Sequence, residues 1–241
     1  MLKFEEIDTS GCAALNKQTI LEQLKKLKER LENNKIENNG TVELRNVVMQ
    51  FDPYAPFVDL GIRKTNVEYV KKEYEWYRSM DLSIKGHVDD VAIWNSCASK
   101  DDLQVVNSNY GYLVYSKENG SQFDNAYNTL VNNAGTRNAI IVYQRPSIYT
   151  DYLKNGMRDM ICTWYSHFFI RDNTLQMTHA MRSNDAIFGL LNDLPWSCAV
   201  YQDMYNHLKE VYPELKTGVI TWIDDSLHVY SRHFELLRKI E

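Results

Sequence analysis

An aromatic-rich run, Thr163–Ile170, and a second strand-like run, Leu175–Arg182, stand on either side of the turn-forming tetrapeptide Arg171-Asp172-Asn173-Thr174. This pattern predicts an antiparallel hairpin, because Asp and Asn tolerate the reversed backbone of a tight turn while the flanking residues suit a pleated surface. A chain with such a hairpin cannot fold around a wholly parallel sheet. Further strands are predicted at Thr41–Met49, which alternates, at the continuous β-branched run Ala139–Tyr143, and at Val219–Ile223. Helical spacing predicts a helix through Ile20, Leu21, Leu24, Leu27 and Leu31, fading into the polar stretch 32–40. Another begins after Asn66, a candidate cap, with Val67, Val70, Tyr74 and Tyr77 on one face. A third spans Leu194–Tyr212, with Pro195 placed where a first turn tolerates it. Helices and strands mix without a βαβ rhythm, so the fold class is α+β.

The chain has 241 residues, 44% of them hydrophobic, enough to bury one full core, and no linker-like stretch divides it. We expect a single domain over residues 1–241, with 1–40 as an N-terminal helical segment. A net charge of −5 argues against gripping nucleic acid through the surface, so an anionic ligand must be small and met by a few local arginines. Cys12, Cys97, Cys162 and Cys198 show neither a paired motif nor metal-ligand spacing, which fits free thiols and no metal. With no signal-peptide pattern and no apolar run long enough for a bilayer, a cytoplasmic protein without a membrane partner is expected. Neither a Walker A motif nor a GxGxxG fingerprint is present, which removes the usual support for phosphoryl transfer and dinucleotide chemistry.

Three clusters in the second half carry the chemistry. They are Met160-Ile161-Cys162-Thr163; Met181-Arg182-Ser183-Asn184-Asp185 running on to Asn192-Asp193; and Ser226-Leu227-His228-Val229-Tyr230-Ser231-Arg232-His233. Each alone has a plain reading. A lone cysteine before a strand is usually a small buried hydrophobe. An Arg-Ser-Asn-Asp run is usually a turn. His228 and Tyr230, two apart on a strand, share a face as a core pair would. Their order and spacing together resemble the thymidylate synthase superfamily, in which a nucleophilic cysteine precedes an Arg-Ser-x-Asp motif by the twenty residues found here. Glu73-Tyr74-Glu75-Trp76, Ile93-Trp94 and Asn109-Tyr110-Gly111 resemble further segments of that superfamily, and the likeness runs from about Thr41 to Phe234.

The resemblance implies a mixed β-sheet with helices packed around it and one-carbon transfer from 5,10-methylenetetrahydrofolate to carbon 5 of a pyrimidine nucleotide. It implies Cys162 as the nucleophile that adds to carbon 6, its thiolate favoured by nearby arginine charge. It further implies Glu73 for proton handling, and Arg182, Ser183, Asn184, His228 and Tyr230 on the nucleotide. Trp94, Tyr110 and Asp185 fall on the folate side. Arg137 matches an arginine that reaches the neighbouring site across a homodimer. Its customary partner is Asn138 here, which leaves the phosphate site one charge lighter unless Lys35 compensates. Asp193, eleven residues past Arg182, takes the place of the asparagine that reads uracil, and a carboxyl suits the exocyclic amine of cytosine. A one-residue slip would put Asn192 there, and the plain role of Asp193 is to cap a helix starting near Leu194.

The segments Ser108–Gly111, Arg145–Ser147, Met181–Gly189 and Ser226–Phe234 resemble phage members that hydroxymethylate deoxycytidylate more than cellular synthases. Cys97 stands where a synthase carries a second tryptophan, and the folate-covering C-terminal tail is short or absent. The expected activity is therefore hydroxymethylation of deoxycytidylate, in a host cytoplasm if a phage encodes the chain. A methylase or hydroxymethylase acting on dUMP or CMP, and an idle nucleotide- or RNA-binding relative, remain as alternatives.

Overall fold

The computed structural model describes residues 1–241. Helix α1 (Ala13–Glu32) turns Ile20, Leu24, Leu27 and Leu31 inward. Its buried Asn16 donates to the carbonyls of Asp52 and Ala55 and accepts from the Asp52 amide, fixing the turn after strand β1 (Thr41–Phe51). Helix α2 (Val67–Ser79) starts at Asn66, whose side chain accepts from the Tyr69 amide, so the expected cap is present. Short helices α3 (Ala92–Cys97) and α4 (Tyr110–Tyr115) follow, then α5 (Gln122–Asn132), strand β2 (Ile140–Val142) and α6 (Ile148–Asp151). Strands β3 (Thr163–Arg171) and β4 (Thr174–Met181) form the predicted hairpin, and Asp172 and Asn173 supply its two positive-φ positions. A short β5 (Asn184–Asp185), the long α7 (Gly189–Val211), β6 (Lys216–Tyr230) and α8 (Phe234–Arg238) complete the chain.

The sheet runs β1-β6-β4-β3-β2, with β5 beside β6. Only β4 and β5 pair with β6 in parallel; the other neighbours are antiparallel, so the sheet is mixed and the α+β expectation holds. Helix α7 makes the crossover between β4 and β6 and packs on the sheet, where Tyr201 donates to the Leu175 carbonyl. Trp76, Trp222, Tyr143, Tyr201, Phe51 and Phe168 are the largest side chains of the core and are wholly buried. No helix is long and apolar enough to cross a membrane.

Two boundaries differ from expectation. Helix α7 begins at Gly189, not near Leu194, so Pro195 lies in its interior and Asp193 is a helical residue with no capping role. The stretch Gly189–Leu191 lacked a polar cap to announce the start, and Phe188 makes no capping bond. Strand β6 absorbs both Val219–Ile223 and the Ser226–Tyr230 segment. The left-handed residue Asn46 of β1 lets the β1–β6 ladder continue past it, from Phe51 opposite Ile220 to Thr41 opposite Tyr230.

Candidate active site

The twenty-residue interval between Cys162 and Arg182 is a consequence of the β3–β4 hairpin. Thr163 pairs with Met181, so the residues just outside that pair face each other, and the Arg182 amide donates to the Cys162 carbonyl at 2.8 Å. The guanidinium then folds back over the cysteine segment. Nε donates to the Ile161 carbonyl at 2.9 Å, Nη2 to the Met160 carbonyl at 2.6 Å, and Nη2 lies 3.5 Å from Cys162 Sγ. The arginine favours the thiolate, but burial outweighs it and Asp193 and Asp159 add opposing negative charge, so the thiol is pushed up to about 11. The expected pull of Arg182 toward the thiolate is present, and burial outweighs it.

Glu73 reaches the same region from α2 and is buried. Its Oε1 accepts from the Tyr69 hydroxyl at 2.6 Å and from Trp94 Nε1 at 3.2 Å. Burial raises its carboxyl to about 7, against the downward pull of those two donors. Trp94, carried by α3, packs edge-on against Trp76 at 4.9 Å between ring centres. Tyr69 was not anticipated; the signal was its place one helical turn before Glu73, where an i,i+4 pair meets.

Asp193 hangs from the second turn of α7. Burial, reinforced by the nearby charges of Glu73, Asp224 and Asp185, pushes its carboxyl well above the ordinary range and so favours its neutral form. Asp185 is fixed by the loop it belongs to: Oδ1 accepts from the amides of Ile187 and Phe188. His233 stacks on Phe188 at 4.1 Å, with Nδ1 3.7 Å from Asp185 Oδ2, and Arg63 covers the other side of the Phe188 ring at 3.7 Å. On β6, His228 and Tyr230 share a face with their rings 4.7 Å apart, and burial keeps His228 neutral by lowering its pKa.

Not every anticipated residue joins this group. Tyr110 is buried behind the cysteine, stacked on Tyr77, and its hydroxyl accepts from Thr163; Asn109 caps α4 and ties it to α2. Gly111 is required there, since a Cβ would fall 1.8 Å from the Tyr77 carbonyl oxygen. Arg137 and Lys35 are exposed, and neither side chain forms an ion pair or hydrogen bond within its own chain. Ser183 is half-buried beside Arg182. Asp159, which the sequence did not single out, is buried and accepts from the amides of Asn107 and Ser108, joining that loop to the cysteine segment.

A thiol, an arginine beside it, two carboxyls of raised pKa and an aromatic wall gather around one end of the sheet. The chain belongs to the thymidylate synthase family: the family described as thymidylate synthase matches residues 16–240. Among curated proteins it is similar to deoxycytidylate 5-hydroxymethyltransferase of Enterobacteria phage T6, 36% identical over 84% of this chain and 81% of that protein. The phage T4 protein of the same name is 35% identical over the same shares. Thymidylate synthase of Buchnera aphidicola is more distant, 26% identical over 83% of this chain and 74% of its own length. The family implies methylenetetrahydrofolate as co-substrate. The residues present suit it: Trp94 offers an aromatic face, Asp185 an acceptor, and the unpartnered Arg63 Nε a donor.

Proposed function

We propose that the chain hydroxymethylates deoxycytidylate at carbon 5. The observation that carries the reading is the place of Asp193, a carboxyl set among Glu73, Asp224 and Asp185 and raised well above the ordinary range by burial. A carboxylic acid donates to ring nitrogen 3 of cytosine and accepts from its exocyclic amine, a pair of bonds that uracil reverses. The similarity to two phage proteins named for this activity points the same way.

Each residue then has a part. Arg182 and Ser183, with Asn184, His228 and Tyr230, hold the nucleotide. Cys162 loses its proton and forms the S–C6 bond, which makes carbon 5 nucleophilic. Methylenetetrahydrofolate, held by Trp94 and Asp185, supplies the one-carbon unit. Glu73, with a carboxyl near 7, moves protons at the ring at neutral pH. Loss of the carbon 5 proton and departure of tetrahydrofolate leave an exocyclic methylene on the ring still bonded to sulfur; water adds to the methylene, and departure of the thiolate from carbon 6 restores the ring with its hydroxymethyl group. Tetrahydrofolate leaves unoxidised.

We also read the chain as a homodimer in which Arg137 enters the neighbouring site. Its exposure, away from its own chain's Cys162, suits that role. The outer face of the sheet supports it: Val142, Tyr165, Ala180, Ile223 and Val48 are register neighbours across five strands, with Val48 61% and Val142 43% exposed. A groove of about 700 Å³ between Ile140, Ile148, Met160 and Trp164 runs up to Arg182. The decisive experiment is to incubate the protein with dCMP and methylenetetrahydrofolate and weigh the product. A hydroxymethyl mass without a dihydrofolate absorbance rise is expected; a methyl mass with that rise would make it a methylating synthase, and no product would make it idle.

A further inference from the structure

Cys162 closes a stretch, 157–162, that belongs to no helix or strand. The carbonyls just before the cysteine are met by side chains, as inward-turned backbone acceptors require. The Arg182 guanidinium takes those of Met160 and Ile161, and Gln144 Nε2 shares the latter at 2.9 Å. Because Arg182 also serves the proposed nucleotide, its hold on the segment is shared with a ligand. A second hold, made without Arg182, lies three residues before the cysteine.

Asp159 and Asn107 grip each other in both directions. Asp159 Oδ2 accepts from the amides of Asn107 and Ser108, each at 2.7 Å, and Oδ1 accepts from the Ser108 hydroxyl at 2.8 Å. Asn107 Nδ2 returns a bond to the Asp159 carbonyl at 2.9 Å, and its Oδ1 accepts from Arg145 Nη2 at 2.7 Å. Arg145 is anchored in turn, with Nε donating to Asp151 at 2.8 Å. Asp159 and Asn107 are 7% exposed and Ser108 5%, so water competes little for these bonds. The grip does not depend on charge, since burial raises the Asp159 carboxyl against the pull of its donors. An amide of the same shape can accept from both backbone amides while its NH2 donates to the Ser108 oxygen.

We propose that Asp159 is a positioning residue for the nucleophile: through Asn107 and Ser108 it holds the start of the segment that carries Cys162, and so sets where the sulfur stands. This rests on the reading of Cys162 as the adding thiol. Asp159 touches no substrate and acts only through the backbone of 159–162.

The test compares Asp159→Ala, which removes the grip, with Asp159→Asn, which keeps it; both remove the charge. Two quantities are measured at a temperature where circular dichroism shows both variants folded. One is kcat and KM on dCMP; the other is the rate at which iodoacetamide alkylates Cys162, followed by the mass of its peptide. Asp159→Asn retains most of the wild-type kcat. Asp159→Ala loses about ten- to a hundredfold in kcat, while KM for dCMP changes by no more than about threefold. Its Cys162 is alkylated about tenfold faster than in Asp159→Asn, because a freed segment exposes the thiol. A purely structural Asp159 would lower the melting temperature of Asp159→Ala and leave the folded protein matching Asp159→Asn. Such a match in either measurement overturns the proposal, as does an Asp159→Asn variant as impaired as Asp159→Ala. If Asp159→Ala does not fold, Asn107→Ala is read in its place against wild type. A Cys162→Ala variant that still turns over dCMP, or a wild type that does not, overturns the reading of the site instead, and the alkylation comparison then decides the hold alone.

Discussion

The Tyr69 hydroxyl donates to Glu73 Oε1 across 2.6 Å, one turn apart on the buried face of α2. That bond, with a second from Trp94, restrains a carboxyl which burial alone would raise further. Hydrogen bonds to an ionised acid lower its pKa, so removing one raises it. Tyr69→Phe should therefore shift the inflection that Glu73 imposes on the pH profile of kcat/KM from near 7 to higher pH. A modest loss of activity, about tenfold or less at the optimum, is expected. Rate profiles of wild type and variant between pH 5.5 and 9 check it; an inflection that stays in place removes Glu73 as its source.

Much of this was legible in the residues. The hairpin declared itself through Asp172 and Asn173, and the Asn66 cap through its side chain, because both are local chemistry. The order of Cys162, Arg182, Asp193 and His228 pointed to one candidate site, because the hairpin and the crossover helix fix those spacings. What stayed hidden depends on distance or burial. Asp224 reads as one acid among several until the ladder pairs it with Met181 and buries it. Tyr110 carries a family motif, yet packing turns it into a support behind Cys162. The protonated state of Cys162 follows from burial outweighing Arg182, a balance of magnitudes that spacing does not carry.

Shared sites give the second prediction. Arg137 lies exposed on the approach to β2, with only its backbone carbonyl engaged, 3.0 Å from His167 Nε2. If it serves the neighbouring site, Arg137→Ala and Cys162→Ala should each be nearly inactive, while each mixed dimer regains one intact site, up to about half of the wild-type dimer's activity. The gain arises because one of the two sites then receives both an intact arginine and an intact cysteine. Activity of co-refolded mixtures, with heterodimer verified by mass, measures this. Verified heterodimer without recovery would confine Arg137 to its own chain.

A third expectation concerns acid. His179 is buried between Ser166 and Ser197, its ring nitrogens 2.9 and 3.3 Å from their hydroxyls, and burial lowers its pKa to about 3. The folded state thus resists a proton that the unfolded chain takes up near 6.5. Its contribution is complete above pH 6.5 and is lost as the pH falls toward 3. By pH 5 the loss should be roughly 1–2 kcal/mol. Urea unfolding of wild type and His179→Asn at pH 7.5 and 5 isolates it, because other titrating groups cancel in the difference. The variant is less stable at both values, but the gap should narrow on acidification. A constant gap would mean that the histidine becomes charged within the fold.

The sharpest expectation concerns the base. Asp193 sits inside α7, five residues into the helix, so a change of stability through lost capping is not at issue. Asp193→Asn replaces a carboxyl by an amide of the same shape, which retains one acceptor and gains fixed donors. The amide matches ring nitrogen 3 and the carbonyl of uracil, and it mismatches both partners on cytosine. Leaving buried groups unpaired costs about 1–3 kcal/mol each, so the dCMP:dUMP ratio of kcat/KM should fall by about ten- to several-hundred-fold. The shift should come from both substrates, with dCMP losing and dUMP gaining, because the geometry of the carboxyl position is retained. Melting temperatures should stay close, since burial and the charges of Glu73, Asp224 and Asp185 already favour the neutral form at Asp193, and the amide keeps its shape. An unchanged ratio would move base recognition to another residue. Asn192, whose buried Oδ1 has no partner, would be the first to substitute next.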